Sequence, residues 1–514
     1  MKKPPLKAPN PYAAPAYYLL TSLFLSGACS LALEVVGTRL VSPFYGSSIY
    51  TWSALITTTL VALAFGYAWG GRLADRSPYL ILFSKLLLAS GLTVAAIPAL
   101  RQPVLSATAP LGVKLGAIAA AAILVGPALA LLGALGPVAT RLTATGAADA
   151  GRRAGDAWAV STAGSVLGAA LTGFVLVPLW PASRILLGAA ALLIALGAWG
   201  AWLSTRKLPL GQLAACAACA VFAIRAESRP HPLVRERVES AYGRIEVLDA
   251  GPKRYLLVNG TAQSAMDPKT GLSDSEYDRS LEWLLALRPS ASRVLGLGLG
   301  AGLLPTALER DGLTVDVVEI DPEMVAAAKK WFGYAPKGRV TIGDARVTLE
   351  NGGGPWDLMV LDAFGAESPP AHLFTREAFE KMREALVPGG VLAVNLVTAV
   401  DGPDGDGWRA AYKTLERVFP NVRAFVAAPP TDGLANVLLF ASAGPLDAPA
   451  SAAPEHARAE AAAMLARELH PSETELEEVP EMTDDHAPLD SLLAATAVRW
   501  RSLLQSGMRE VLLR

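Results

Sequence analysis

The apolar character of the first half of this chain is the feature that most limits its fold. Seven stretches there are long and apolar enough to cross a membrane as helices. The chain of 514 residues is 52% hydrophobic and 18% charged, whereas about 25% charged residues is typical of a globular protein. No small-residue cleavage site follows the first stretch, so we predict a span there rather than a signal peptide. The seven stretches cover residues 17–36, 51–69, 79–100, 115–138, 157–179, 184–203 and, more weakly, 208–224.

Basic residues in the short loops predict the orientation of these spans. Alternate loops are rich in Lys and Arg, and the intervening loops carry fewer, among them Arg101 and Arg184. The positive-inside rule therefore predicts a cytoplasmic N-terminus. Seven spans would place the second half outside, whereas its own basic residues near 225–237 favour the inside. The sequence leaves the side open. The rich loops contain Lys2, Lys3, Lys7, Arg72, Arg76, Arg141, Arg152, Arg153, Arg206 and Lys207.

Two charges lie in or near the first span. A carboxylate within a membrane indicates a functional site by default, and Glu34 is such a residue. The alternative of equal weight is that Glu34 and Arg39 form an ion pair with each other or with a neighbouring helix. The segment GGRLADRSP (70–78) resembles the cytoplasmic loop between the second and third helices of major facilitator transporters.

Composition excludes several classes of site. The formal net charge is −1 and no basic stripe is present, so nothing indicates nucleic-acid binding. The three cysteines fall in apolar stretches, and the pair Cys216 and Cys219 is best explained as small packing residues. The five histidines are scattered without ligand spacing, so we expect no metal cluster.

The second half alternates strand and helix patterns, which is typical of a doubly wound and largely parallel sheet. The segment 244–260 predicts a β-hairpin that turns at Gly251 and Pro252. Strands are predicted over 293–297, 314–319, 339–342, 358–361, 391–396, 422–427 and 437–440, with helices such as 323–332 and 376–386.

A glycine turn carries the strongest functional signal in this half. The sequence VLGLGLGAG (294–302) predicts a strand that runs through a glycine turn into a helix. Glu319, which ends the next strand, lies 19 positions after Gly300, a separation at which a carboxylate can bond ribose hydroxyls. Asp344 and Asp362 follow two further strands. Because ligands bind at the carboxyl ends of parallel strands, we predict a nucleoside site there.

These patterns divide the chain into five parts. We predict an N-terminal tail (1–16), a transmembrane helical domain (17–225), a β-hairpin subdomain (226–290) and a Rossmann-like nucleoside-binding domain (291–442). The Pro- and Ala-rich remainder (443–514) is predicted to be a linker followed by a C-terminal helical segment.

An ordered series of motifs resembles the spermidine synthase family, and most closely its bacterial branch in which transporter-like helices precede the synthase domain. That resemblance implies an integral protein of a bacterial cytoplasmic membrane and a homodimer, as in the family's soluble members. A generic methyltransferase would explain the glycine turn, Glu319 and Asp344, but not the other motifs. The series reads ESAYG (239–243), VNGTAQS (258–264), Tyr277, VLGLGLGAG, VEIDP (318–322), GDA (343–345), LDAF (361–364), PPAHLFTREAF (369–379) and TDDHAP (483–488).

The resemblance implies a role for each matched residue. Asp362 matches the catalytic aspartate that holds and deprotonates an attacking amine, and Tyr242 and Tyr277 would line an aminopropyl channel. The substrate would be decarboxylated S-adenosylmethionine and the product methylthioadenosine, with no tightly bound cofactor and no metal. His372 and His486 are expected to cap or pack rather than catalyse. The nucleoside pocket would contain Gln263, Gly298, Gly300, Gly302, Glu319, Ile320, Asp344 and Ala345, with Asp344 on the adenine amino group.

Departures from the family pattern fall in the half of the site that would hold an acceptor amine. Ala301 and Gly365 stand where soluble members have aspartates, and Gly243 stands where they have glutamine. After the second tyrosine this chain has Asp278 and Arg279 in place of Gln or His and then Glu. The lost acids must be replaced if a diamine is to bind. Candidate replacements are Glu276, Asp278, Asp484 and Asp485.

Three functions follow from this pattern. The first is aminopropyl transfer to a small amine. The second is intramolecular attack by the substrate's own amine, which gives azetidine and needs only one aspartate. The third is a transporter or sensor whose nucleoside domain binds an adenosyl ligand without turnover. Methyl transfer from S-adenosylmethionine is a further enzymatic alternative, although the glycine turn, VEIDP, GDA and LDAF contain no Arg or Lys to receive its carboxylate.

Overall fold

The computed structural model describes residues 15–45, 49–77, 79–207, 232–364 and 368–513, together with 210–211, 214, 217–218 and 221. The chain divides into two compact units, Met1–Pro230 and His231–Arg514. We describe each by itself.

The first unit is built of apolar helices. Five of them are long and apolar enough to cross a membrane, and a sixth candidate is the bent pair Lys114–Leu124 and Gly126–Thr143, whose halves differ in direction by 52°. The predicted seventh stretch, 208–224, lies largely outside the described residues, so seven spans remain a prediction. In chain order the helices are α1 (Ala16–Tyr45), α2 (Ile49–Arg76), α3 (Leu80–Thr108), α4 (Gly112–Leu124), α5 (Gly126–Gly133), α6 (Leu135–Thr143), α7 (Ala147–Leu171) and α8 (Ala182–Thr205). Helix α7 continues through a π-helical turn, Thr172–Leu176, and a last turn, Val177–Leu179.

Small residues bring these helices into backbone contact. A Cβ atom added to Gly164 would lie 1.9 Å from the Phe24 carbonyl oxygen, and one added to Gly168 would lie 2.4 Å from the Ala28 carbonyl oxygen. Helices α1 and α7 therefore pack against each other through a glycine pair spaced four residues apart, as membrane helices commonly do.

The second unit contains two sheets. An antiparallel sheet of five strands runs in chain order: β1 (Val234–Glu239), β2 (Arg244–Ala250), β3 (Lys253–Val258), β4 (Thr261–Asp267) and β5 (Leu272–Ser273). The hairpin predicted over 244–260 is the β2–β3 pair of this larger sheet, and Gly251 adopts a φ of 58° in its turn. Left-handed φ favours glycine because it has no Cβ.

The second sheet has eight strands in the order β13-β11-β12-β10-β9-β6-β7-β8. Strands β10, β9, β6, β7 and β8 pair in parallel. The other three pairs are antiparallel: β12 with β10, β11 with β12, and β13 with β11. This confirms the α/β class predicted from alternating strands and helices. The strands are β6 (Arg293–Leu297), β7 (Thr314–Glu319), β8 (Val340–Ile342), β9 (Trp356–Leu361), β10 (Leu386–Ala399), β11 (Asn421–Val426), β12 (Leu434–Ser442) and β13 (Glu468–Leu469).

Helices connect these strands and cover the eight-stranded sheet. Aromatic residues fill the core, where Trp283 contacts Phe425 and Phe440 edge to face with ring centroids 5.6 and 5.1 Å apart. The helices are α9 (Glu276–Leu281), α10 (Leu284–Leu287), α11 (Leu303–Arg310), α12 (Pro322–Trp331), α13 (Ala345–Glu350), α14 (Arg376–Glu384), α15 (Asp406–Glu416), α16 (Arg458–Leu465), α17 (Glu473–Glu478), α18 (Leu489–Leu492) and α19 (Ala494–Leu513). Short 3₁₀ turns lie at Ala109–Leu111, Ala371–Leu373, Pro403–Gly405, Ala450–Ala452 and Glu455–Ala457.

The segment after Ser442 is packed against the core, although its composition suggested a linker. Leu446, Ala453 and Met464 are each at most 2% exposed, and β13 adds an edge strand beside β11. Its alanines and prolines have short side chains, which fit closely against the surface of a sheet and its helices. This segment therefore belongs to the folded unit.

If this segment is part of the core, Met464→Ala should lower the free energy of unfolding by about 2–5 kcal/mol, the usual cost of truncating a buried large side chain. Thermal unfolding of the full chain in detergent measures the change. The control is Leu272→Ala, because Leu272 is 48% exposed and its truncation should cost within about 0.5 kcal/mol. Equal midpoints for the two variants would contradict the packing of the segment.

Candidate active site

The glycine turn presses against the strand end that carries Asp362. Gly298, Gly300 and Gly302 have φ values of 102°, 55° and 74°. A Cβ atom at Gly298 would lie 2.2 Å from the Asp362 carbonyl oxygen. The Asp362 N–H also donates to the Leu297 carbonyl at 3.0 Å. Glycine is therefore required where the turn of β6 and the end of β9 meet.

Glu319 holds the same turn from the neighbouring strand. Its buried carboxylate accepts the backbone N–H groups of Leu299 and Asp321, both at 2.9 Å. Burial raises the pKa of Glu319, while those N–H groups oppose the rise. A carboxylate has about four acceptor positions. Glu319 therefore stabilises the turn and keeps acceptor capacity for a ligand such as a ribose.

Asp362 is the centre of a hydrogen-bonded chain. Its Oδ1 accepts from the Asn395 amide at 2.7 Å, and the Asn395 side-chain oxygen accepts from Asn436 at 3.0 Å. Its Oδ2 lies 3.4 Å from the Tyr277 hydroxyl that donates to it. Burial raises the pKa of Asp362, and the bonds from Asn395 and Tyr277 oppose that rise. The carboxylate is thus oriented from two sides.

Asp278 is a second buried acid beside this chain. It is 7% exposed and accepts a hydrogen bond from the Ser273 hydroxyl. Burial raises the pKa of Asp278 to about 7, with smaller upward contributions from the charges of Asp362 and Glu282. Burial and the two neighbouring aspartates hold the pKa of Tyr277 well above its usual range. The Tyr277 hydroxyl therefore stays protonated next to both acids.

Asp344 caps the helix that follows β8. Its Oδ1 accepts the N–H groups of Arg346 at 2.8 Å and Val347 at 3.2 Å, while its Oδ2 lies 3.0 Å from His372 Nε2. His372, predicted to cap or pack, thus contacts the residue expected to bind adenine. Ala345 is buried and Ile320 is 39% exposed.

Asp484 is occupied by an ion pair. Both of its oxygens accept from the Arg346 guanidinium, at 3.1 and 2.8 Å, and Thr375 also donates to it at 2.6 Å. Asp484 and Asp485 lie in a tight turn closed by reciprocal backbone bonds between Thr483 and His486, both of 3.0 Å. Asp484 therefore lies beside Arg346, the residue whose backbone N–H donates to Asp344. Of the candidate replacement acids, Asp278 is the one that interacts with Tyr277, the donor to Asp362.

Two neighbouring residues of β4, Gln263 and Ser264, lie at a bulge and over the glycine turn, respectively. Gln263 is the extra residue of a bulge in β4, because Leu256 pairs with Ser264 while Leu257 pairs with Ala262. Bulges redirect side chains and occur often beside active sites. Ser264 itself lies over the glycine turn, where a Cβ at Gly300 would be 3.4 Å from its hydroxyl.

Tyr242 lies in a turn tied to the end of β7. Its backbone N–H donates to the Ser240 hydroxyl at 3.0 Å, and that hydroxyl donates to Asp321. The Tyr242 side chain is 53% exposed, so it fills no hydrophobic core.

The departures from the family pattern have physical explanations. Ala301 is 1% exposed and packs in a cluster with Ile245 and Met266, where an acid would be buried among apolar side chains. A Cβ at Gly243 would lie 3.0 Å from the Asn259 side chain. Arg279 donates to Glu460 at 2.6 Å. Gly365 lies outside the described residues.

Sequence reasoning missed several residues. Asn395 and Asn436 each interrupt an apolar strand, and an isolated asparagine in a buried strand is the signal that could have revealed them. The described residues also bring ligand atoms of Glu282, Asp311 and His456 within 4.8 Å of one another, a grouping that the scattered histidines of the sequence did not indicate. His456 pairs with the buried Glu282, so the contact fastens the C-terminal segment.

Comparison with known proteins gives partial matches to this chain. No protein-family model matches the chain. A polyamine aminopropyltransferase of Vibrio vulnificus is 34% identical over 146 residues, which is 27% of this chain and 48% of the relative. Over the matched part, the second unit is similar to polyamine aminopropyltransferases and spermidine synthases.

Two further matches set the limits of that assignment. An N-terminal histidine N-methyltransferase of Emericella nidulans is 31% identical over 163 residues, 29% of this chain and 28% of the relative. The crystal structure of a probable spermidine synthase from Corynebacterium glutamicum superposes with a TM-score of 0.41 and 22% identity, covering 50% of this chain and 97% of that one. The chain spans less than half the length of either curated relative.

The contact between Gly298 and Asp362 predicts that Gly298→Ala abolishes binding of methylthioadenosine, because the new methyl group would displace the Asp362 backbone. Isothermal titration calorimetry measures this binding. Gly312→Ala is the matched control: its φ is 97°, but no atom lies within 4 Å of the added methyl group. That variant should lose about 1–2 kcal/mol of stability to backbone strain and bind normally. Equal binding by both variants would contradict the assigned role of the contact.

Proposed function

We propose that the chain is a membrane-bound, spermidine synthase-like enzyme that acts on decarboxylated S-adenosylmethionine and releases methylthioadenosine. The observation that carries this proposal is a pair of acids, half-buried Asp362 and buried Asp278, that both interact with the Tyr277 hydroxyl. They lie where a nucleoside-type glycine turn meets the carboxyl ends of parallel strands. Acids suit this chemistry because both the sulfonium substrate and an amine nucleophile carry positive charge.

The reaction is a single displacement. The amine nitrogen attacks the propyl carbon next to the sulfonium, the carbon–sulfur bond breaks, and its electron pair stays on sulfur as a neutral thioether. The proton lost by the amine passes to the Asp362 carboxylate, which accepts it as general base. Asn395 and Tyr277 keep that carboxylate in one orientation. Tyr277 remains a donor because the pKa of its hydroxyl is raised.

The nucleophile is either a small amine or the substrate's own terminal amine. Asp278 is an acid where soluble relatives have Gln or His, so it provides one charge to hold an acceptor. Intramolecular attack needs no second charge, and it gains from the high effective concentration of a tethered nucleophile. The product is then azetidine.

The first unit is proposed to anchor the enzyme in a bacterial cytoplasmic membrane. Five described helices, or six with the bent pair, have the required length and composition.

Methyl transfer is a second candidate, favoured by the match to an N-methyltransferase. Its donor, S-adenosylmethionine, carries a carboxylate, which Asp362 and Asp278 would repel. S-adenosylhomocysteine as product, instead of methylthioadenosine, would establish this alternative and exclude aminopropyl chemistry.

Mass spectrometry of the purified full chain with decarboxylated S-adenosylmethionine, alone and with putrescine, tests the proposal. We expect methylthioadenosine, and Asp362→Asn should lower its rate by about 10²–10⁴-fold, the usual contribution of a general base. That variant should still bind methylthioadenosine, which controls for folding. An azetidine mass without added amine indicates cyclisation, and product only with putrescine indicates transfer. No methylthioadenosine under either condition would refute the proposal.

The raised pKa of Asp278 predicts a pH profile. Below about 7 this carboxyl is protonated and cannot hold a cation, so kcat/KM should rise as the pH increases through 7. Asp278→Asn should remove the inflection near 7 and lower kcat/KM about tenfold or more, as loss of a charge-assisted hydrogen bond would. Steady-state rates between pH 5 and 9 measure both effects. An unchanged inflection in the variant would show that another group controls the profile.

A further inference from the structure

The first unit contains a carboxylate that no neighbour neutralises. Within the described residues, no hydrogen bond or ion pair reaches the Glu34 carboxylate, so of the two alternatives the pair with Arg39 is not observed there. Glu34 lies well inside the apolar segment Ala16–Ser42. An ionisable group at such a position is costly unless it serves a ligand or an ion.

Glu34 lies in a stretch of α1 that has no exposed residue. From Ser22 to Ser42, no residue of α1 is exposed, so neighbouring helices surround α1 on every side. Glu34 is nevertheless only half-buried. Its side chain therefore keeps accessible surface at which a ligand could make contact.

A second polar group lies on the same face of α1. Ser30 precedes Glu34 by four residues, and residues four apart are neighbours on a helix surface. Ser30 is 7% exposed, and its hydroxyl oxygen is buried without a hydrogen-bond partner among the described residues. An unsatisfied buried hydroxyl costs free energy. It is therefore an independent sign that a polar ligand binds beside Glu34.

The adjacent helix changes its winding at the same level. Gly164 and Gly168 of α7 contact the backbone at Phe24 and Ala28 of α1, which shows that the two helices run parallel with a constant register. Six residues further along, that register places Glu34 level with the π-helical turn Thr172–Leu176. π-Helical turns occur frequently at functional sites.

We propose that Glu34 and Ser30 form a binding site for a protonated aliphatic amine within the membrane unit. A carboxylate and a hydroxyl provide the acceptors that an ammonium group needs, and the carboxylate of Glu34 is partly accessible. The choice of an amine over another cation rests on the proposed function, because the second unit would produce or consume amines. The membrane unit would then bind the cation made or used by the enzyme.

Binding of tritiated spermidine to the full chain in lipid nanodiscs tests this site. The variant Asp278→Asn/Asp362→Asn serves as the parent, so that amine binding at the synthase site is weakened. Adding Glu34→Gln should weaken binding by about tenfold or more, equivalent to ~1.4 kcal/mol. Adding Ser30→Ala should weaken it severalfold. Ser26→Ala is the matched control, because the Ser26 hydroxyl already donates to the Leu23 carbonyl at 3.2 Å, and it should leave affinity unchanged.

Absence of spermidine binding in the parent, or equal affinity after Glu34→Gln, would overturn the inference. Size-exclusion profiles that match the parent confirm that each variant is folded. Methylthioadenosine formation, measured separately with Asp278 and Asp362 intact, distinguishes the two proposals. Product without Glu34-dependent binding refutes only this site, and binding without product refutes only the proposed reaction.

Discussion

The backbone contact between Gly298 and Asp362 is the constraint on which the site depends. It brings the turn that would cradle a nucleoside against the residue that would remove a proton, with no side chain between them. Parallel pairing of β9 and β6 sets this approach, because Leu361 and Leu297 are partners in register and the next residues of each strand must meet. The parallel pairing of β6 and β9 therefore positions both the glycine turn proposed to bind the nucleoside and the carboxylate proposed to accept the proton.

Electrostatics explains which substrate such a site would accept. Asp278 is buried and Asp362 is half-buried, and the pKa values of both are raised by the cost of removing their charge from water. A cationic substrate would lower that cost by neutralising them. Two nearby arginines are already engaged, Arg279 with Glu460 and Arg346 with Asp484. The site thus favours a ligand with positive charge and disfavours one that also carries a carboxylate.

Sequence patterns predicted the sheet more fully than the site. Strands over 293–297 and 314–319 match β6 and β7, because short apolar runs bounded by glycine and acidic residues have few alternative structures. The pair Arg346 and Asp484 could not be predicted, since 138 positions separate these residues and only the fold brings them together. The prediction of a linker after Ser442 was wrong. A Pro- and Ala-rich composition is typical of flexible segments, but these small side chains also pack well against a folded core. Asn395 was missed because a single polar residue hardly alters the pattern of a buried strand.

Relative affinity for two nucleosides tests the central claim most directly. Calorimetric titration of the full chain with decarboxylated S-adenosylmethionine and with S-adenosylmethionine compares ligands that differ only in a carboxylate. Asp362 and Asp278 should disfavour that carboxylate, so the decarboxylated ligand should bind about tenfold tighter or more, a difference of ~1.4 kcal/mol. Equal binding, or tighter binding of S-adenosylmethionine, would contradict the account and indicate a methyl donor site.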